Sequence, residues 1–170
     1  MMGKLILNLA VSLDGYIEGP NGEFDWCFTD QDYGMTAFLD QVDTILFGRK
    51  SYDLQASIEQ EYFPNHRKIV LSHQHLELRE GYELMRSPEK NEVQAIIREN
   101  PKDTWLFGGE SMTRQCLDWG ILDMMMLAVH PILLGSGKPL FEPGERRKEL
   151  KFSGATSYDS GLVQLTYLIP

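Results

Sequence analysis

The residues that could do chemistry in this sequence sit in four short segments, each following an apolar run. In Phe47-Gly48-Arg49-Lys50-Ser51-Tyr52 a glycine separates an apolar run from helix-forming residues. Backbone N–H groups at a helix start carry partial positive charge, and a glycine lets an anion come close, so this segment can seat a phosphate. Arg49, Lys50 and Ser51 add charge and a hydroxyl. Val70-Leu71-Ser72-His73 sets a hydroxyl beside an imidazole, a pair able to hold the 2′-phosphate of an adenine dinucleotide. Leu106-Phe107-Gly108-Gly109-Glu110-Ser111-Met112 has consecutive glycines, which let main-chain N–H groups approach a pyrophosphate. The fourth segment runs from His130 to Phe141 and contains Gly135-Ser136-Gly137-Lys138, chiefly a structural crossover. Each segment alone also fits an ordinary turn; their order and spacing carry the reading. There is no Gly-x-Gly-x-x-Gly fingerprint and no Gly-x-x-x-x-Gly-Lys-Ser/Thr loop, so neither a standard Rossmann domain nor a P-loop enzyme is indicated.

Such segments act only if strands deliver them to one edge of a sheet. Residues 4–11 (KLILNLAV) form a nearly continuous apolar run, the pattern of a strand buried on both faces. Residues 44–47, 68–71, 104–107 and 124–129 are similar, and the first three of these end in Gly or Ser. Between them, Asp32 caps a helix through about Val42, with Met35, Phe38, Leu39 and Val42 on one face. Ser87-Pro88-Glu89 predicts another helix start, and Val93, Ile96 and Ile97 its buried stripe. A third helix follows Gly108-Gly109 and carries Met112, Gln115, Cys116 and Trp119. Residues 151–158 and 162–169 read as an antiparallel hairpin around Asp159-Ser160-Gly161. The expectation is one α/β domain over residues 1–170, with a mainly parallel sheet and an antiparallel edge. In such sheets ligands bind just past the carboxyl ends of strands, where all four segments fall.

Composition narrows the function further. The 170 residues carry 16 basic and 25 acidic side chains, a net charge of −9. Without a Lys/Arg cluster this opposes nucleic-acid binding, and any phosphorylated ligand needs local donors. The basic stretch Glu145-Arg146-Arg147-Lys148-Glu149 reads as a solvated turn. Cys27 and Cys116, far apart, are expected as free thiols in a reducing cytosol, and His73-Gln74-His75 lacks further ligands for a metal. The N-terminal apolar stretch is too short and too polar for a signal or a membrane span, so a cytoplasmic protein with no membrane partner is expected.

These residues, in this order, resemble the dihydrofolate reductase-like family, specifically stand-alone relatives of the riboflavin-biosynthesis reductase domain, the carboxyl-terminal half of a bifunctional deaminase-reductase. Residues 9–17 (LAVSLDGYI) resemble the family's first strand and loop, and Phe47–Tyr52 its Gly-Arg-x-Thr-Trp element. Val70-Leu71-Ser72 and Gly108-Gly109 match further elements, while residues 131–141 (PILLGSGKPLF) are the most specific match to the riboflavin-reductase branch. The resemblance implies a three-layer fold with helices on both faces, NADPH as cofactor, and hydride transfer to a small-molecule substrate. It places Ala10, Tyr16 and Ile17 at the nicotinamide end; Gly48, Arg49, Lys50 and Ser51 on phosphate; Leu71, Ser72 and His73 near the adenosine ribose; and Gly108, Gly109, Glu110, Ser111 and Met112 over the pyrophosphate. Family members often pair through sheet edges, which implies a homodimer as one arrangement. No zinc deaminase signature precedes these segments, so a riboflavin role would be the reductase half alone. Trp26 is expected as a wall of the substrate site, and Asp14 and Asp32 as proton donors if partial burial raises a pKa toward neutrality. Asp-Gly is also a turn dipeptide, and Asp32 is also explained as a helix cap. A fold retained for NADPH binding without turnover is the competing expectation.

Overall fold

In the computed structural model, which describes residues 2–143 and 147–170, the apolar runs pair into one eight-stranded sheet. In chain order the elements are β1 (Leu5–Ser12), β2 (Tyr16–Glu18), α1 (Met35–Gln41), β3 (Val42–Gly48), α2 (Arg49–Ala56), β4 (Arg67–Ser72), β5 (Tyr82–Arg86), α3 (Lys90–Glu99), β6 (Asp103–Gly108), α4 (Glu110–Trp119), β7 (Met124–His130), β8 (Lys138–Pro139), β9 (Lys151–Ser157) and β10 (Val163–Leu168). The sheet order is β5-β4-β3-β6-β1-β7-β10-β9, with the first six strands parallel and β10 and β9 antiparallel at the far edge. A second, two-stranded sheet joins β2 to β8.

Helices cover both faces, which is why β1 reads as a continuous apolar run: Leu5, Ile6 and Leu7 are all fully buried. On one face α3 and α4 set Val93, Ile97 and Cys116 against Leu5, Leu7, Leu46 and Leu106. On the other α1 and α2 set Phe38 and Tyr52 against Ile6, Ile45, Phe47 and Trp105. The result is the three-layer arrangement expected of a dihydrofolate reductase-like chain.

Both capped helix starts fall later than expected. Gly34, at φ 78°, is the residue before α1, and Val42 opens β3 instead of closing the helix. Asp32 still serves this start, since its Oδ1 accepts from the Thr36 N–H at 3.0 Å and the Thr36 hydroxyl at 2.5 Å. For α3 the cap is Glu89, in a reciprocal box with Glu92. Ser87 sits at φ 50° and donates its N–H to the Ser72 carbonyl at 2.8 Å, so its backbone is taken up by the end of β4. The short strands β2, β5 and β8 are additions to the expected set. The basic stretch read as a solvated turn begins outside the described residues; Lys148, within them, donates to the Leu117 carbonyl at 3.0 Å. No helix among the described residues is long and apolar enough to cross a membrane.

Candidate functional site

Parallel strands β4, β3 and β6 lie side by side, so their carboxyl ends open on one edge. Two helices start there at once: α2 after Gly48 and α4 after Gly109. The first N–H groups of each helix have no intrahelical partner, and neither start has a side-chain cap. At the end of β6 the chain needs glycine, because Gly108 and Gly109 take φ 112° and 89°. The Gly109 carbonyl accepts from the Thr113 N–H at 3.0 Å and hydroxyl at 2.9 Å, fixing the turn to α4. Ser51 Oγ donates to the Gly108 carbonyl at 3.0 Å and ties the first turn of α2 to that strand end. Gly48 serves packing: a Cβ there would lie 2.8 Å from Met112 Cγ.

Between these starts lies a groove of about 700 Å³. It gathers Gly48, Arg49, Lys50, Ser51, Leu71, Ser72, His73, Gly108, Gly109, Glu110, Ser111 and Met112, every residue expected at the phosphate and ribose end. Arg49 bonds the Gln74 side-chain oxygen and lies 3.6 Å from the Asp53 carboxylate. The Gln74 N–H in turn donates to Ser72 Oγ at 3.1 Å. Glu18, Phe24, Gln74, Gln115, Trp119 and Lys138 also line the groove and were not expected there. Gln115 and Trp119 had a helical signal, and Lys138 stood beside a glycine loop. Glu18 and Phe24 lie in a stretch without periodicity, so nothing local marked them.

The remaining expected residues are elsewhere. Ala10 lies within β1, paired with Ala128, and Tyr16 and Ile17 lie in β2. The Tyr16 N–H donates to Ser12 Oγ at 2.9 Å, and Ile17 packs against the core under α3 and α4. Asp14 bridges two loops: its carboxylate accepts from Ser12 Oγ at 2.6 Å and from the N–H groups of Leu134 and Gly135 at 3.1 and 2.8 Å. The Ser12 hydrogen bond above all holds the Asp14 carboxyl below its usual range, and the Thr36 bonds do the same for Asp32. The condition set for a proton donor, a pKa raised by burial, is therefore not met at either residue. Trp26 donates Nε1–H to the Glu23 carbonyl at 3.3 Å and meets His130 edge-on, ring centroids 5.2 Å apart.

His130 organises this second region. Its Nε2 accepts from the Phe28 N–H at 3.0 Å, so its Nδ1 carries the proton and donates to the Ala128 carbonyl at 2.9 Å. Burial pushes its pKa down, favouring the neutral ring. It thereby pins the segment that carries Trp26 and Phe28 to the end of β7.

The donors fit an elongated phosphate-bearing ligand. Two helix starts, Arg49, Lys50, Lys138, three serine hydroxyls and His73 surround a volume within the roughly 300–1,000 Å³ usual for small-molecule sites. They supply locally what a net charge of −9 withholds.

The RibD C-terminal domain family model matches residues 3–164. The chain is 40% identical to the uncharacterized protein YyaP of Bacillus subtilis, over 96% of this chain and 94% of YyaP. A Shewanella sp. PV-4 crystal structure, provisionally described as a riboflavin biosynthesis protein, superposes with a TM-score of 0.84 at 26% identity, covering 100% of this chain and 99% of that one. Enterococcus faecalis dihydrofolate reductase, solved with NADP(H) and RAB-propyl, superposes at 0.74 with 18% identity, covering 99% and 98%, a likeness of fold.

Proposed function

Since the chain belongs to the RibD C-terminal domain family, a reductase-like family with the dihydrofolate reductase fold, we propose that it is an NADPH-dependent reductase acting on a small heterocyclic or ribosylaminopyrimidine-like substrate. The observation that carries this reading is the pair of glycine-led helix starts facing one groove, with Arg49 and Lys50 beside them. When bound, NADPH supplies a hydride to an electrophilic carbon of the substrate. The first turns of α2 and α4 hold the pyrophosphate, with Gly109 allowing close approach. Arg49, Ser72 and His73 bind the 2′-phosphate, and Leu71 flanks the ribose. Ala10, Tyr16 and Ile17 flank the nicotinamide end. Asp14 orients the loops after β1 and β7, and Trp26 and Phe28, pinned on His130, exclude water from the reacting carbon. The proton that balances the hydride comes from solvent, because Asp14 and Asp32 are both ionised near neutrality.

The test is consumption of NADPH absorbance with 5-amino-6-(5-phosphoribosylamino)uracil and with dihydrofolate, beside a fluorescence titration of NADPH alone. Turnover with either compound is the expected result. Lack of both binding and turnover would remove the reading. The engagement of both carboxylates in structural bonds favours a second reading, NADPH binding without catalysis; binding with no consumption would select it.

A further inference from the structure

A second cavity, of about 460 Å³, adjoins the groove, and Glu18, Gly22 and Lys138 line both spaces. It lies along the ribbon of β2 and β8, where Glu18 pairs with Lys138 and Tyr16 with Pro139. Tyr16 flanks the nicotinamide end in the reductase reading. Glu18 is two residues further on, about 7 Å of strand, so the second cavity opens beside the place where the substrate meets the cofactor.

Glycine and proline form most of its wall, so backbone and little else bounds the space. The two sides of the ribbon approach closely, since a Cβ on Gly137 would run into the Glu18 carbonyl. The N–H groups of this wall are already engaged. Gly19 donates to the Glu23 carbonyl at 2.8 Å and Gly22 to the Gly19 carbonyl at 3.0 Å, while Pro20 and Pro139 have no N–H to give. What remains is three side chains: the carboxylates of Glu18 and Glu142 and the ammonium of Lys138, none of them in an ion pair among the described residues. Glu18 Oε2 is held at the wall, 3.9 Å from where a Cβ on Gly22 would stand. A phosphate here would meet two like charges with one cation to offset them. A hydroxyl suits all three groups, because it donates to a carboxylate and accepts from an ammonium.

We propose that this cavity seats a neutral polyhydroxyl tail of the substrate and rejects a phosphate ester. Glu18 and Glu142 accept from the hydroxyls of the tail. Lys138 donates to one of them, and its charge also serves the cofactor phosphates on the groove side. A pentose-length chain on a ring at the nicotinamide end spans the stretch of β2 from Tyr16 to Glu18. The substrate class is a heterocycle bearing an unphosphorylated ribosyl or ribityl group. This inference rests on the reductase reading and adds to it the chemistry of the substrate's tail.

The experiment compares the parent chain with Glu142→Gln and Glu142→Lys, each loaded with NADPH. Calorimetry follows binding of 5-amino-6-(ribosylamino)uracil and of its phosphate ester, 5-amino-6-(5-phosphoribosylamino)uracil. Glu142 lines the second cavity and not the groove, so NADPH affinity and melting temperature should hold in both variants. Three results are expected. The parent binds the unphosphorylated compound roughly tenfold tighter or more. Added salt narrows that gap, because it screens the repulsion between phosphate and carboxylates. Glu142→Gln lowers the preference several-fold and Glu142→Lys reverses it, a change of sign that a purely structural role would not produce. Equal or tighter binding of the phosphate ester by the parent overturns the proposal, as does a preference that both variants leave unchanged. Failure of the parent to bind either compound when NADPH is bound also overturns it, leaving the cofactor reading intact. Failure of the parent to bind NADPH removes both.

Discussion

Gly109 shows how one residue can serve both chain and ligand. Its φ of 89° and ψ of 148° are accessible essentially to glycine alone, so a side chain costs about 1–3 kcal/mol there whatever the space. Space is available, since a Cβ at Gly109 would find nothing nearer than Ser51 Oγ at 3.7 Å. Gly109→Val should therefore lower the apo melting temperature and also obstruct the groove. Loss of NADPH binding in that variant is consequently ambiguous. Lys50 gives the cleaner measurement, because it is exposed and makes no ion pair among the described residues. Lys50→Ala should leave the apo melting temperature unchanged and weaken NADPH several-fold by fluorescence titration. Unchanged affinity would place the phosphates away from the start of α2. Arg49 separates the two ends of the cofactor: bonded to Gln74, beside Ser72, it should matter more for NADPH than for NADH. Its guanidinium is half exposed, so the expected difference in Arg49→Ala is about tenfold. Equal weakening of both cofactors would move Arg49 to the pyrophosphate.

Among the elements, the segment between β2 and α1 depends on the end of β7 for its place. Neutral His130 accepts from the Phe28 N–H, and protonation would remove that acceptor. Its folded pKa is depressed chiefly by burial, so the unfolded chain binds the proton more readily. Stability is then complete above the unfolded pKa near 6.5 and declines as pH falls through that value toward the lower folded one. The melting temperature should drop between about pH 7 and 5, and His130→Phe should lose most of that dependence. A parent chain with a flat profile in that window would count against the clip. Little of this was legible in the sequence, because His130 and Phe28 are 102 positions apart and no local pattern links them. Strands β1, β3, β4 and β6 were legible because they are largely buried on both faces, and burial writes itself into the chain as an apolar run. Strand β7, half-buried along most of its length, and the terminal hairpin of β9 and β10 were legible as well. By contrast β2 and β8 have three and two residues, too few for any period to register. The phosphate end of the groove was readable because glycine and basic residues follow strands directly.

For the whole molecule the groove matters because its walls come from both helical layers. The helix α2 packs on one face of the sheet and α4 on the other, and both start at the same edge. A ligand bridging those starts binds only the folded chain, so it must raise the melting temperature by mass action. At a hundred times its dissociation constant the gain is about 2.7 kcal/mol. For a chain of this size that corresponds to roughly 5–10 °C. If the 2′-phosphate contributes tenfold, NADH at the same concentration gains only about 1.4 kcal/mol, and its shift is about half as large. Salt should narrow the gap between the cofactors. Arg49 is 47% exposed, and its contact with a phosphate is screened by mobile ions. The hydrogen bonds from the helix starts to the pyrophosphate are shared by NADPH and NADH, so salt acts on them equally. The decisive measurement is thermal unfolding with each cofactor at low and high ionic strength. Equal shifts at low salt would remove the 2′-phosphate contact while keeping the groove. A gap that persists unchanged at high salt would assign discrimination to the less exposed Ser72 hydroxyl instead of Arg49.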